Sequence, residues 1–182
     1  NSISTECILE PDVLIKRLRN PATSNFQKPK AIVIVDDVVG SGKSMAGYLK
    51  VFEENSGLLI NMGIPLQTIV MISTEEGEHR INAAVADMKL PLNLHVCEYL
   101  GPTNYAFPKQ EVGFWDSEEE LARARALCKR LGAGLYKDAL GYSGQGLLLV
   151  MPDTCPNNSL PILYKTKNSV PAWTALFPRP VT

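Results

Sequence analysis

An α/β fold built on a doubly wound parallel sheet is predicted by three observations. Short apolar runs of strand length alternate with amphipathic stretches of helical period. The strongest run, AIVIV at residues 31–35, is β-branched at four of its five positions, as in strands buried on both faces. A Gly/Ser turn joins that run directly to the next helical stretch, which is the βα join of a parallel crossover.

The elements follow in order. Pro11, after Glu10, suits a first helical turn, and Val13, Leu14 and Leu18 then share a face. Residues 20–30 are polar, Pro-bearing and aperiodic, hence a loop. Residues 31–35 (AIVIV) form the first strand. From Ser44 the pattern turns helical, with Met45, Tyr48, Leu49 and Phe52 on one face, and it ends near Asn55, Ser56 and Gly57. Residues 68–73 (TIVMIS) read as a second strand. Residues 78–88 read as a helix presenting Ile81, Ala84, Val85 and Met88, and residues 94–99 (LHVCEY) as a third strand. Past the loop at 101–113, Ser117 and Glu120 have capping-box spacing and start a helix that turns Leu121, Ala124, Leu127 and Leu131 inward until Gly132 and Gly134. Residues 146–151 are expected to form a fourth strand. The remaining tail carries too many prolines for a long helix and too many large apolar residues for a disordered linker. The expected organisation is an N-terminal helix and basic loop (1–30), an α/β core (31–151) and an irregular Pro/aromatic extension packed on that core (152–182).

The chain has 182 residues, of which 45% are hydrophobic, enough for one sizeable core and a small extension. With 18 Lys+Arg against 19 Asp+Glu and a net charge of −1, it lacks the global positive field of a general nucleic-acid binder. No apolar run approaches the roughly 18 residues that span a bilayer. Cys7, Cys97, Cys128 and Cys155 are scattered, none in a CxxC pair, and neither His79 nor His95 completes a metal-ligand pattern, so reduced thiols and a cytoplasmic setting are expected. Cys155 reads as a packed thiol, Trp173 and Phe177 as anchors of the tail, and Glu75 and Glu76 as acids that favour a helix N-terminus.

Chemistry concentrates in residues 33–45, VIVDDVVGSGKSM. The apolar run sets Asp36 and Asp37 at the carboxyl end of a parallel strand, where open α/β sheets bind ligands. Adjacent carboxylates repel and are costly to desolvate, so sugar hydroxyls or a cation would justify the pair. Gly40, Ser41, Gly42, Lys43 and Ser44 then supply backbone N–H groups, two hydroxyls, an ammonium and a helix N-terminus, which together suit a phosphate. A Walker A loop is the competing reading, but its first glycine, five residues before Gly42, is Asp37 here, and the second strand lacks a terminal Asp for Mg²⁺.

These residues resemble the ribose-phosphate signature of type I phosphoribosyltransferases. Residues 144–165 (GQGLLLVMPDTCPNNSLPILYK) and the W-x-x-LFPR run at 173–179 further resemble phosphoribosyltransferase-like domains with a C-terminal extension, found in bacterial conflict and phage-defence gene sets. The resemblance implies that Asp36 and Asp37 hold the ribose hydroxyls of phosphoribosyl pyrophosphate. It also implies that Val38, Val39, Gly40, Ser41, Gly42, Lys43 and Ser44 form the wall around its 5′-phosphate, with Mg²⁺ riding on the ligand's oxygens. The implied activity is that of a pentosyltransferase, moving or removing ribose 5-phosphate at a nitrogenous base. Gly40 stands where hypoxanthine-guanine enzymes carry a third Asp, which leaves the base open. A pyrophosphate-binding turn after an earlier strand has no room in thirty residues, so it is expected upstream of Asn1 unless the chain binds without catalysing. The basic residues at 16–30 are candidates for a mobile loop over the reacting carbon, beside the simpler reading of a solvated loop. The alternative function is a non-catalytic nucleotide-sensing module that retains the pocket. A homo-oligomer or a larger defence complex stays open, and no membrane partner is expected.

Overall fold

The computed structural model describes residues 7–21, 27–86, 88–89, 91–109, 114–152, 154–167 and 172–179. It divides into two compact units, Asn1–Glu98 and Tyr99–Thr182, a boundary that falls inside the stretch expected to form one α/β core.

In the first unit the order is α1 (Pro11–Arg19), β1 (Ile32–Val39), α2 (Lys43–Glu54), α3 (Ser56–Asn61), β2 (Leu66–Thr74) and α4 (Glu75–Ala86), followed by β3 (Leu92–Leu100), which runs to the boundary. The three strands form a parallel sheet in the order β1-β2-β3, with Ile32 opposite Leu66 and Asp36 opposite Val70. The parallel α/β architecture is thus the expected one. Helix α2 packs against α4, and α1 packs on α2, so these helices share one face of the sheet. Beneath them Leu14, Leu18, Met45, Leu49, Phe52, Leu59, Val70 and Ile81 form the core. Each comes from the apolar stripe of its helix or the inward period of its strand.

Three expectations change here. The first strand does not stop at residue 35 but runs through Val39, because Val38 and Val39 continue the β-branched series. It is not buried on both faces: Val33 is 47% and Val35 67% exposed, since the helices of this unit cover only the opposite side. In α1 the buried stripe is Leu14, Ile15 and Leu18, with Val13 outside, because a helix that packs through positions i, i+1 and i+4 turns position i−1 to solvent. Helix α3 was not anticipated. It begins where the Asn55 side chain bonds back to the Val51 carbonyl at 2.7 Å and takes a 2.7 Å hydrogen bond from Arg19.

The second unit holds α5 (Glu118–Gly132) and α6 (Pro161–Tyr164) among irregular segments. Ser117 caps α5 by accepting from the Glu120 N–H at 3.2 Å, but the Glu120 carboxylate reaches the Asp116 N–H rather than that of Ser117, so the box is one residue wider than drawn. Leu127 is exposed, and Cys128 completes the inward stripe with Leu121 and Ala124. The fourth strand is absent: Leu147 alone makes isolated bridges, to Tyr105 and to Ser159, because both neighbouring segments are too short and bent to extend a ladder. A small core of Ala106, Phe107, Leu140 and Leu160 forms beside it, so the tail packs within this unit. The half-buried Trp173 donates to the Ile162 carbonyl at 3.1 Å, whereas Phe177 is exposed, its N–H donating to the Leu163 carbonyl. Among the described residues, no helix is long and apolar enough to cross a membrane.

Candidate functional site

The acid pair lies in the second half of β1 rather than after its end, for the reason given above. Asp36 is half-buried and Asp37 exposed. Asp37 Oδ1 accepts from the Val38 N–H at 2.8 Å. Burial, then the neighbouring Asp37 charge, pushes Asp36 up from 3.8 to about 6. Asp36 therefore keeps its proton into mildly acidic solution, beside a second carboxyl. Among the described residues no third His, Cys, Asp or Glu joins them in a metal-ligating cluster.

Immediately beyond, Gly40, Ser41 and Gly42 are buried while Lys43 and Ser44 are exposed at the start of α2; Val39 belongs to the core and Val38 is half-buried. Gly42 is the N-cap of α2 with φ +70°, a left-handed conformation that disfavours side chains. Space excludes one as well: a methyl built there would stand 2.7 Å from the Gly77 carbonyl oxygen. Among the described residues no side chain caps α2, and its first turn carries no acid. An uncapped N-terminus with a lysine in its first turn favours an anion by both hydrogen bonding and dipole.

Three neighbours escaped the sequence reading. The Thr74 hydroxyl accepts the Gly77 N–H at 3.0 Å, capping α4, and donates to the Gly40 carbonyl at 2.5 Å. Gly77 lies so close that a methyl on it would stand 2.6 Å from the Val39 and Gly40 carbonyl oxygens. The Arg80 β-carbon comes within 3.1 Å of where a Gly42 methyl would be, and its guanidinium pairs with Glu76 at 3.6 Å. Thr74 before two acids is a cap signature in sequence, but nothing in sequence says which turn its proton would find. Glu75 and Glu76 open α4, as expected of acids at a helix N-terminus.

The other candidates lie apart from chemistry. His79 and His95 are exposed. The buried Cys155 thiol donates to the Leu149 carbonyl at 3.3 Å, and burial pushes it up from its ordinary value, so it is a packed thiol as expected. Of the basic stretch at 16–30, residues 22–26 lie outside the described residues, and Arg19 is engaged with Asn55.

No curated protein and no solved structure matches the chain. Its sequence does match a family over residues 1–179, across both units and both sets of motifs. An acid pair in a parallel strand, a glycine turn opening the next helix and an irregular second unit thus stand in a chain that belongs to PRTase-CE, the phosphoribosyltransferase family with a C-terminal extension.

Proposed function

We propose that the first unit binds phosphoribosyl pyrophosphate, or a nucleotide made from it, with Mg²⁺, and that the complete protein moves or removes ribose 5-phosphate at a nitrogenous base. The observation that carries this reading is the Asp36–Asp37 pair, two crowded carboxyls that the protein itself does not neutralise with a cation in its described part. Ribose 2′- and 3′-hydroxyls donating to that pair would offset the repulsion between its carboxyls with charge-assisted hydrogen bonds. The turn at Gly40, Ser41, Gly42, Lys43 and Ser44 lies one residue pair further on and is suited to the 5′-phosphate.

The resemblance has Mg²⁺ riding on the ligand's own oxygens, and two carboxylates beside the ribose would add hard oxygens that suit such an ion. When bound, the ion would offset charge on the pyrophosphate. In transfer the C1′–O bond to pyrophosphate breaks, the C1′–N bond to the base forms, and the base nitrogen gives up its proton. The residues of this chain bind and orient: Asp36 and Asp37 fix the ribose, and Lys43 and the α2 N-terminus fix the phosphate. Position, more than acid–base work, is their contribution.

Calorimetric titration of phosphoribosyl pyrophosphate in Mg²⁺ tests the site. Asp36→Asn with Asp37→Asn is expected to remove binding while the fold persists, and unchanged affinity overturns the assignment. Isotope exchange between pyrophosphate and phosphoribosyl pyrophosphate over a panel of bases tests transfer. Binding without exchange would favour a nucleotide-sensing module, and Lys43-dependent ATP turnover a degenerate P-loop. A defence setting rests on the resemblance alone.

A further inference from the structure

The phosphate turn is not free-standing. Gly40 and Gly42 both abut the start of α4: the Thr74 hydroxyl holds the Gly40 carbonyl at 2.5 Å, and the Gly77 backbone fills the space beside Gly42. Thr74 is 0% exposed, so its hydroxyl bonds are shielded from competing water. One hydroxyl closes a chain of three groups, from the Gly77 N–H through Thr74 to the Gly40 carbonyl. A carbonyl fixed in that direction also fixes the peptide plane joining Gly40 to Ser41, and with it the direction of the Ser41 N–H. Glycine turns are otherwise the most permissive backbone in a protein. A turn with glycine at two of three positions would lose its shape without such an external hold.

We propose that Thr74 is a positioning residue for the phosphate turn, holding Gly40 through its hydroxyl while Gly77, kept side-chain-free, lets α4 approach closely enough for the bond to form. The proposal rests on the phosphate-binding reading of the same turn. It adds that the shape needed for the anion is imposed by the second βα connection and not encoded in the turn itself. Thr74 touches no substrate in this arrangement; it acts through Gly40.

The test compares Thr74→Val, which keeps the shape and removes the hydroxyl, with Thr74→Ser, which keeps the hydroxyl. Two readouts are taken on the whole chain: amide hydrogen exchange at residues 40–43 without ligand, and affinity for inorganic phosphate and ribose 5-phosphate. Thr74→Val is expected to speed exchange at 40–43 by about tenfold, with β3 unchanged. It should weaken the phosphate probes by about tenfold, while Thr74→Ser stays within about threefold of the parent on both. Exchange at 40–43 that is unchanged in Thr74→Val, or that rises evenly across the unit, overturns the proposal. So does a selective rise in exchange with unaltered affinity, since the shape would then not matter to the anion. Should the parent protein bind neither probe while its exchange still responds to Thr74→Val, the phosphate reading falls and the hold on the turn stands. If Thr74→Val does not fold, Gly77→Ala carries the same test, because it sets a methyl against the Gly40 carbonyl with Thr74 in place.

Discussion

The two units of this chain satisfy their backbones differently. In the first, strand ladders and helices absorb the N–H and C=O groups, and the large apolar residues of α2 and β2 are buried beneath α1 and α4. In the second, outside α5 and α6, the described backbone is held by isolated bridges, turns and side chains. Asn158 donates to Gln145 Oε1 at 2.9 Å and to the Tyr142 carbonyl at 3.4 Å, Ser159 donates to the Leu149 carbonyl at 2.7 Å, and Arg179 donates to the Cys155 carbonyl while lying over the Tyr164 ring. A ladder spreads its cooperativity over many equal bonds, whereas a network of this kind depends on particular side chains. The first arrangement is sensitive to lost volume, and the second to lost polar atoms.

The largest effect that would break this contrast concerns one residue type placed in both units. Phe52 is 2% exposed and Phe177 is 49% exposed. Phe52→Ala should cost about 3–5 kcal/mol by emptying a closely packed site, and Phe177→Ala should stay within about 0.5 kcal/mol. Urea unfolding of each variant measures both. A similar cost at the two positions would mean that the tail is held by its aromatic side chains after all.

Asn158 supplies the converse. Asn158→Ala removes the amide that donates to the Gln145 side chain and the Tyr142 carbonyl inside this unit, and should cost about 1–3 kcal/mol. A loss below half a kcal/mol in the same urea titration would remove the claim that the second unit depends on individual polar side chains.

What could be read in the sequence divides along the same line. Periodicity located every strand of the sheet and most of the α2 and α4 stripes, because Met45, Leu49, Phe52 and Ile81 repeat at the spacing of a helix face, although Tyr48, expected on the α2 stripe, is exposed. It also located the acid pair and the glycine turn, which are contiguous. It misplaced the end of β1, since an acid pair reads as a stop and the strand runs through it, and it supplied a strand at 146–151 from an apolar run that the structure uses as irregular chain. Thr74 and Gly77 were invisible for a different reason: their role is a contact across 34 residues of sequence, and no local pattern reports a long-range hydrogen bond. Exposure of Val33 and Val35 was likewise beyond periodicity, which shows which faces a strand has but not how many are covered.

Asp36 sharpens the account of the first unit, because a carboxyl raised by burial and by its neighbour should weaken the fold at neutral pH. Its carboxyl is raised from 3.8 to about 6, so the folded chain holds that proton more tightly than the unfolded one does. The stabilisation is present in full below pH 3.8 and is lost as pH rises through about 6. Over that window the group therefore makes stability fall with increasing pH. The displacement corresponds to about 3 kcal/mol, and solvent screening of a half-buried pair reduces this to roughly 1–2 kcal/mol. Asp36→Asn should raise stability at pH 7 by that amount, flatten the profile between pH 4 and 7, and abolish ligand binding. A variant with the parent's pH profile would show that the pair carries no such strain.

The smallest effect lies under the same helices. Thr68, on β2, is 0% exposed, and its hydroxyl oxygen has no hydrogen-bond partner among the described residues. A buried hydroxyl that gives up water without a replacement costs about 1–3 kcal/mol. In a unit governed by volume, Thr68→Val should be an improvement, because it keeps the branched shape and deletes only the unsatisfied group. The expected gain is about 1 kcal/mol, or a rise of roughly 2–4 °C in melting temperature for a chain of this length. Thr74, six residues along the same strand, is equally buried and carries two hydrogen bonds, so Thr74→Val should lower the melting temperature. Opposite signs for the same substitution on one strand would separate a hydroxyl that holds the Gly40 turn from one that has no partner among the described residues. A loss of stability in Thr68→Val would place a hidden partner on that oxygen and remove the distinction.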